Sequence, residues 1–473
     1  MPGVSEWEKA RRWGQEHGDL VFVKNLVRPY IFINSYDAAV ELFEKRGNNY
    51  SSRPQNTLIE LEGWSQLPSQ MAYGDEHRKS RQFLNRFFGP SSVTDFCELQ
   101  TKVAHKLLFG LLTEPDRFED FTRRSAGETI MMAAYGYEVS NEKDPYIALA
   151  DRGVRSLSEA KGFSLVNLLP WSNLNDERLL LVRYLPEWVP GTGFHRLIKE
   201  GYKLSHAMVF EPYEATKKSM SDGTYISSVT SKLIEVNSTE DGNIADEPTI
   251  AKSAAIAYAA GADTTVSTLN TFILAMLLYP ETQRRGQEEL DRVIGKDILP
   301  TMEDKTNLPY INALCNEALR WQTVAPLGLA HCPTKDDVYN GYFIPAGITI
   351  YANIWAMQRD PLEYPEPEKF IPERWMPSDG KRTPLDVYKT QFGFGRRTCP
   401  GKHFAANSIF IDIASILAAF NIEMASDENG AQIIPVVDYV EGFVRHPKPF
   451  KCKITPRSDK ITSTIKQAVE AIL

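Results

Sequence analysis

Cysteine is scarce in this chain: there are five in 473 residues, Cys97, Cys315, Cys332, Cys399 and Cys452, and no two of them form a C-x-x-C pair. An odd, scattered set excludes a disulfide frame and a zinc ribbon, and it points to a reducing compartment. Basic residues are outnumbered, 53 Lys and Arg against 61 Asp and Glu for a formal net charge of -8. The electrostatic footprint of a nucleic-acid binder is therefore missing. No early segment approaches the roughly 20 apolar residues of a membrane span, and no signal-peptide core lies between Met1 and Gly18. The chain itself is expected to be soluble or peripherally bound. Also lacking are a Pro/Gly/Ser-rich linker and an internal repeat, so residues 1–473 are expected to form a single domain, although the length would accommodate about three.

Hydrophobic residues make up 42% of the chain and charged ones 24%, enough to bury a large core without cross-links. The capping-box pattern of Ser5 and Glu8 predicts a helix from about Glu6 to His17. Strands are expected at Leu20 to Val23 and Tyr30 to Ile33, after which helical periodicity dominates. The longest helix should run from about Thr249 to Tyr279, where Pro280 ends it, with apolar residues on more than one face and hence buried. Helices near Glu281 to Ile294, Pro309 to Trp321 and Lys402 to Phe420, and strands at Tyr342 to Ile344 and Thr349 to Ala352, complete a mainly α fold with a small β portion.

The most informative stretch is Phe392-Gly393-Phe394-Gly395-Arg396-Arg397-Thr398-Cys399-Pro400-Gly401, a cysteine behind a glycine-rich turn at the start of a helix. Pro400 suits a first helical turn, and the N–H groups of a helix N-terminus favour a thiolate, so Cys399 is expected to ionise more easily than a free cysteine. A thiolate is a strong donor to iron. Gly393, Gly395 and Gly401 let the backbone approach a flat ligand, and Arg397 can reach a carboxylate on it. A Cys399/His403 metal pair is the competing reading, but no further ligand is visible nearby.

A second constellation, Ala260-Gly261-Ala262-Asp263-Thr264-Thr265, places a carboxylate and β-branched residues inside the apolar run of the long helix. A hydroxyl beside an acid can hold a water chain and deliver protons, which cleavage of dioxygen requires. The alternative is that Asp263 pairs with a basic residue while Thr264 bonds back to its own helix. Third, Glu317-Ala318-Leu319-Arg320 supplies an i, i+3 pair, and Pro372-Glu373-Arg374-Trp375 a second arginine. Glu317, Arg320 and Arg374 are expected to form a buried structural network behind the cysteine loop.

These four motifs, in this order, resemble the signature set of the cytochrome P-450 family, and the resemblance covers Glu6 to about Arg457. It implies a triangular prism with one haem b between the long central helix and the cysteine-loop helix, and Cys399 as axial ligand of the haem iron. Carried over residue by residue, Arg397, Arg81 in the run Tyr73 to Arg81, and His331 would hold the haem propionates. His77 stands where the family usually has tryptophan; an imidazole N–H can replace the indole donor. Phe392, Gly401 and Gly261 join the cofactor-binding set, with Thr264 and Asp263 as the catalytic pair. The stretches Asp336 to Pro345 and Gly442 to Pro447 resemble the fungal secondary-metabolism members of the family. Such members carry an N-terminal membrane anchor, which where present implies the cytosolic face of the endoplasmic reticulum.

The resemblance further implies a monooxygenase that uses O2. No G-x-G-x-x-G fingerprint follows a strand here, so electrons are expected from a separate NADPH-dependent cytochrome reductase, with Arg78, Lys79, Arg396 and Lys402 as its docking face. The pocket is expected from Ile59 to Met71, Ala254 to Ala260, Val324 to Leu329 and Glu441 to Val444, with Ala257, Ala260, Val324, Leu327 and Phe443 facing substrate. The apolar middle segments favour a hydrophobic small molecule such as a terpenoid. An aromatic or indole amine would call for a carboxylate partner, for which Glu60, Glu62 or Glu441 are the candidates. The remaining alternatives are a haem-thiolate isomerase or peroxygenase and a non-enzymatic haem binder. A monomer is expected.

Overall fold

The computed structural model describes residues 5–24, 29–140, 144–161, 194–376, 383–440 and 442–472. Its principal helices are α1 (Glu6–His17), α2 (Asp75–Phe88), α3 (Cys97–Thr113), α4 (Phe118–Tyr135), α5 (Pro145–Lys161), α6 (Phe194–Ser221), α7 (Val229–Asn237), α8 (Glu247–Leu278), α9 (Pro280–Val293), α10 (Pro309–Trp321), α11 (Lys402–Ala419) and α12 (Asp459–Glu470). The strands are short: β1 (Leu20–Val23), β2 (Tyr30–Ile33), β3 (Asp337–Tyr339), β4 (Tyr342–Ile344), β5 (Thr349–Ala352), β6 (Phe420–Met424), β7 (Tyr439–Val440), β8 (His446–Pro447) and β9 (Cys452–Pro456). The fold is mainly α with a small β portion.

Helix α1 occupies the residues the sequence predicts, although the Ser5 hydroxyl does not cap it. β1 pairs antiparallel with β2, and β2 pairs in parallel with β5, Ile31 opposite Ile350. The parallel pair brings together residues more than three hundred positions apart, so strand periodicity alone could not reveal it.

Helix α8 begins two residues before the expected Thr249 because Pro248 fits its first turn. It stops at Leu278; Tyr279 leaves the helical region with φ -129° and ψ 63°, since the residue before a proline disfavours it, and Pro280 opens α9. Two apolar cores meet along α8. Its first half, from Ile250 to Ala262, packs with α4, α5, α6 and α7. Its last part, from Leu269 to Leu277, packs with α3, α10 and α11. Asp263 to Thr268, rich in hydroxyls, lies between them, and this break in apolar packing is where the cavity opens. Among the described residues no helix is long and apolar enough to cross a membrane.

Candidate active site

The loop before α11 is built by backbone geometry. Gly393 and Gly395 adopt left-handed φ of 74° and 53°, and a Cβ on Gly395 would lie 2.3 Å from the Phe43 carbonyl oxygen, so only glycine lets the two backbones approach. The turn closes with Cys399 N donating to Phe392 O at 2.7 Å and Arg397 N to Phe394 O at 3.1 Å. Pro400 precedes the N-cap, which is Gly401, rather than sitting in the first helical turn. Burial pushes the Cys399 thiol up; the Gly401 amide, Arg81 and Lys402 pull it back only in part. The easing of ionisation that the sequence assigns to the helix terminus is therefore opposed by the surroundings of the sulfur.

Cys399 lines a cavity together with Phe392, Arg397 and Gly401 from its own loop and Asp263 and Thr264 from α8. At its rim three guanidiniums converge. Arg397 donates to the carbonyls of Ser51 (2.6 Å), Pro68 (3.1 Å) and Met71 (2.8 Å). Arg81 donates to Thr398 O at 2.5 Å. Arg53, which no sequence pattern singled out, donates to Ser69 O, Leu329 O and Ala330 O. None of the three pairs with a carboxylate among the described residues. Burial, with the repulsion of Arg81, lowers Arg397 to about 10; burial, with Arg397, lowers Arg53. Burial also lowers Arg81, which the Cys399 sulfur partly offsets.

Two histidines complete the rim. His77 is 3% exposed, so it is no surface histidine, and its Nδ1 has no hydrogen-bond partner. Burial and then Arg397, Arg81 and Arg53 lower its pKa to about 3. His331 stacks on Phe43 and places Nδ1 2.9 Å from Tyr50 O. A neutral His331 that donates there presents only an acceptor at Nε2, so it greets a carboxylate fully only when doubly protonated. Buried cations without counter-ions are costly; carboxylates entering this rim would relieve them. A flat group with a soft-ligand iron at Cys399 and two propionates among Arg53, Arg81, Arg397 and His77 fits the residues present.

One expected cofactor residue has a different reason to be glycine. Gly261 borders the cavity, but a Cβ there would lie 2.7 Å from Ile130 Cγ1. Close packing of α8 on α4, rather than approach of a flat ligand, excludes a side chain.

The sequence of the family described as Cytochrome P450 matches residues 6–454. The chain belongs to the cytochrome P450 family. It is 40% identical to cytochrome P450 monooxygenase 208 of Postia placenta over 462 residues, which is 97% of this chain and 87% of that protein. It is 37% identical to the tryptamine 4-monooxygenase of Psilocybe cyanescens over 472 residues, 98% and 91% respectively. It is 39% identical to a cytochrome P450 monooxygenase of Armillaria gallica, over 97% of this chain and 89% of that one. The chain is a cytochrome P450 monooxygenase, an oxidoreductase that incorporates oxygen from O2, and its cofactor is haem b.

Within this P450, Ala257, Ala260, Val324, Leu327 and Phe443 all line the cavity. Only Pro68, Ser69 and Gln70 of the expected Ile59 to Met71 segment do so, and Val154 and Leu157 of α5 contribute where the sequence suggested nothing. Glu60 and Glu62 are not among the lining residues; Glu62 accepts from Trp64 Nε1 at 3.0 Å. Glu441 lies outside the described residues.

Thr264 Oγ1 donates to Ala260 O at 2.9 Å. Asp263 Oδ1 lies 2.9 Å from His446 Nε2 and 4.0 Å from Arg123 Nη1. Both contacts weighed as the structural alternative are therefore present, and both side chains also border the cavity.

Glu317 and Arg320, each 0% exposed, form a two-pronged pair at 2.8 Å per bond. Arg374 Nε at 3.2 Å, Trp375 Nε1 at 3.0 Å and Ile371 N at 2.8 Å also donate to Glu317. Burial works to raise the Glu317 carboxyl, but Arg320 and Arg374 hold it below its usual range. Of the basic set expected to dock a partner, Lys79 pairs with Asp246 at 2.9 Å and Arg78 with Asp75. Arg396 donates to Tyr73 Oη at 3.0 Å, leaving it and Lys402 without a carboxylate among the described residues.

Proposed function

We propose that this P450 oxidises a neutral, hydrophobic small molecule of secondary metabolism, a terpenoid before an amine. The observation that carries this reading is the cavity wall. Its substrate-facing residues are apolar, and of the two carboxylates that border it, Asp263 is engaged by His446 while burial pushes Asp412 up to about 8, so it stays protonated at neutral pH. An ammonium entering the pocket would find no ready counter-charge.

Haem b supplies oxygen activation when bound, and the chain's own residues do the rest. Cys399 would hold the haem iron through its sulfur, and Arg53, Arg81, Arg397 and His77 would hold the propionates. Thr264 and Asp263 hand protons to the reaction, and the apolar wall orients substrate and excludes water. Electrons come singly from an NADPH-dependent reductase meeting the exposed face around Arg396 and Lys402. The protein acts as a monomer and, where the full-length protein carries the family's N-terminal anchor, at the cytosolic face of the endoplasmic reticulum.

The test begins with the spectrum of the reduced protein under carbon monoxide, beside Cys399→Ser; a red-shifted Soret band in the wild type alone supports the thiolate. Binding titrations with neutral sesquiterpene alcohols and with tryptamine follow. A second reading, oxidation of an indole amine, is favoured by the similarity to a tryptamine 4-monooxygenase, and tight binding of tryptamine without response to the terpenoids would replace the first.

A further inference from the structure

We infer that His446 is the proton-delivering partner of Asp263, the link through which bulk solvent supplies the protons used in dioxygen activation. The inference rests on the monooxygenase reading and extends it to a residue outside the cavity wall.

Placement is the first argument. The Ser267 hydroxyl, one turn beyond Asp263 on α8, donates to the Arg445 carbonyl, and Arg445 N donates to Val324 O at 2.9 Å. These bonds, with the pairing of Val440 opposite His446, hold β8 along α8, so the imidazole meets Asp263 at 2.9 Å from a fixed backbone. Asp263 is 14% exposed and borders the cavity, whereas His446 is 22% exposed and does not. The pair therefore bridges the cavity side of α8 and the outer side of β8.

Chemistry is the second argument. Two basic groups face Asp263. Arg123 is salt-bridged to Asp151 at 2.7 Å, and a guanidinium does not give up a proton in a protein. An imidazole both gives and regains one between about pH 5 and 8. Glu119 and Asp151 also face this cluster, and both carboxyls are pushed up, mainly by burial; His446 and Arg123 pull Glu119 back, and Arg123 pulls Asp151 back. The ion pair Lys448–Asp438 lies on the same hairpin. Arg123 thus orients the carboxylate, and His446 is the member that can turn over. The step balances without electrons: the protonated imidazole breaks its N–H bond at Nε2 and becomes neutral, an O–H bond forms on the Asp263 carboxylate, Asp263 passes that proton toward Thr264, and a proton from bulk solvent restores the imidazolium.

The experiment uses the haem-loaded protein with an NADPH-cytochrome reductase and needs no identified substrate. For wild type, His446→Gln and His446→Phe, two rates are measured from pH 5 to 8: O2-dependent NADPH oxidation in H2O and D2O, and anaerobic reduction trapped by carbon monoxide. The expected result is a fall in NADPH oxidation of about a hundred-fold in both variants, the lower end of the range for one acid–base group. Loss of its pH dependence should accompany that fall, with carbon monoxide trapping within about two-fold of wild type. Protein carrying nitrogen-15 histidine should show a ring N–H resonance that disappears in His446→Gln and shifts in Asp263→Asn. Unchanged NADPH oxidation in the variants, or a fall matched by equally slow carbon monoxide trapping, overturns the role of His446 and leaves the monooxygenase reading intact. A wild type without the thiolate band, or without any O2-dependent NADPH oxidation, overturns both.

Discussion

Asp412→Asn should stabilise this protein, and by more at pH 7 than at pH 5. Asp412 stands in the apolar helix α11, is 4% exposed, and burial alone pushes its carboxyl up to about 8. In the unfolded chain an Asp ionises near pH 3.9, so between about pH 4 and 8 the native state holds a proton that the unfolded state has lost. Stability then falls as pH rises through this window, by up to ~1.4 kcal/mol per unit. The accumulated penalty is at most about 4 kcal/mol at pH 7 and about 1.5 kcal/mol at pH 5. Asparagine keeps the shape and cannot ionise. With an unfolding entropy of about 2 cal/mol/K per residue, a chain of 473 residues gains roughly 4 °C in melting midpoint at pH 7 and under about 2 °C at pH 5. The assay is a thermal melt of haem-loaded wild type and variant at a fixed scan rate across that pH range. An offset that stays constant with pH, or a variant that melts below wild type at pH 7, refutes the reasoning.

Glu317→Ala leaves Arg320 and Arg374 buried without their acceptor and should cost about 3–5 kcal/mol, seen as a collapse of soluble, haem-loaded yield; a midpoint within a degree of wild type would deny the network its weight. Because the Glu317 carboxyl is held below its usual range, its contribution is complete at neutral pH and should be lost only on acidification below about pH 4. Arg53→Leu and Arg81→Leu each remove a charge-assisted bond worth about 1.5–3 kcal/mol to a propionate, so haem transfer to apomyoglobin should quicken roughly ten- to a hundred-fold; unchanged transfer would remove them from the cofactor site. Arg396→Glu combined with Lys402→Glu should slow haem reduction by the reductase at low salt and erase its ionic-strength dependence, whereas salt-indifferent reduction of the wild type would place docking elsewhere.

Much of the site was legible because its residues cluster in short local runs. The glycine turn before Cys399, the Asp263-Thr264 interruption of α8 and the Glu317/Arg320 spacing each announce themselves within ten residues, and the structure brings the first two to one cavity. The lone carboxylate of Asp412 in the apolar helix α11 was not singled out in the sequence, because only its burial raises its pKa. Arg53 left no such trace: it is an arginine in a short polar stretch, Ser51-Ser52-Arg53-Pro54, and becomes a rim residue only because the Leu329 and Ala330 carbonyls fold over it. Gly261 was legible as a glycine but not as the seat of Ile130, because helix-to-helix contact is not written in either helix.

By itself the sequence determined the helical class, the ends of α1, α8 and α10 to within a few residues, and the family, since periodicity, proline stops and motif spacing are properties of neighbours along the chain. Tertiary structure alone decided which charges share a wall, that burial pushes the Cys399 thiol and the Asp412 carboxyl up, and that His446 on a two-residue strand meets Asp263 on the central helix. Those outcomes depend on burial and on contacts between residues far apart in the chain, and an electrostatic field has no value until every charge and every screen around it has been placed.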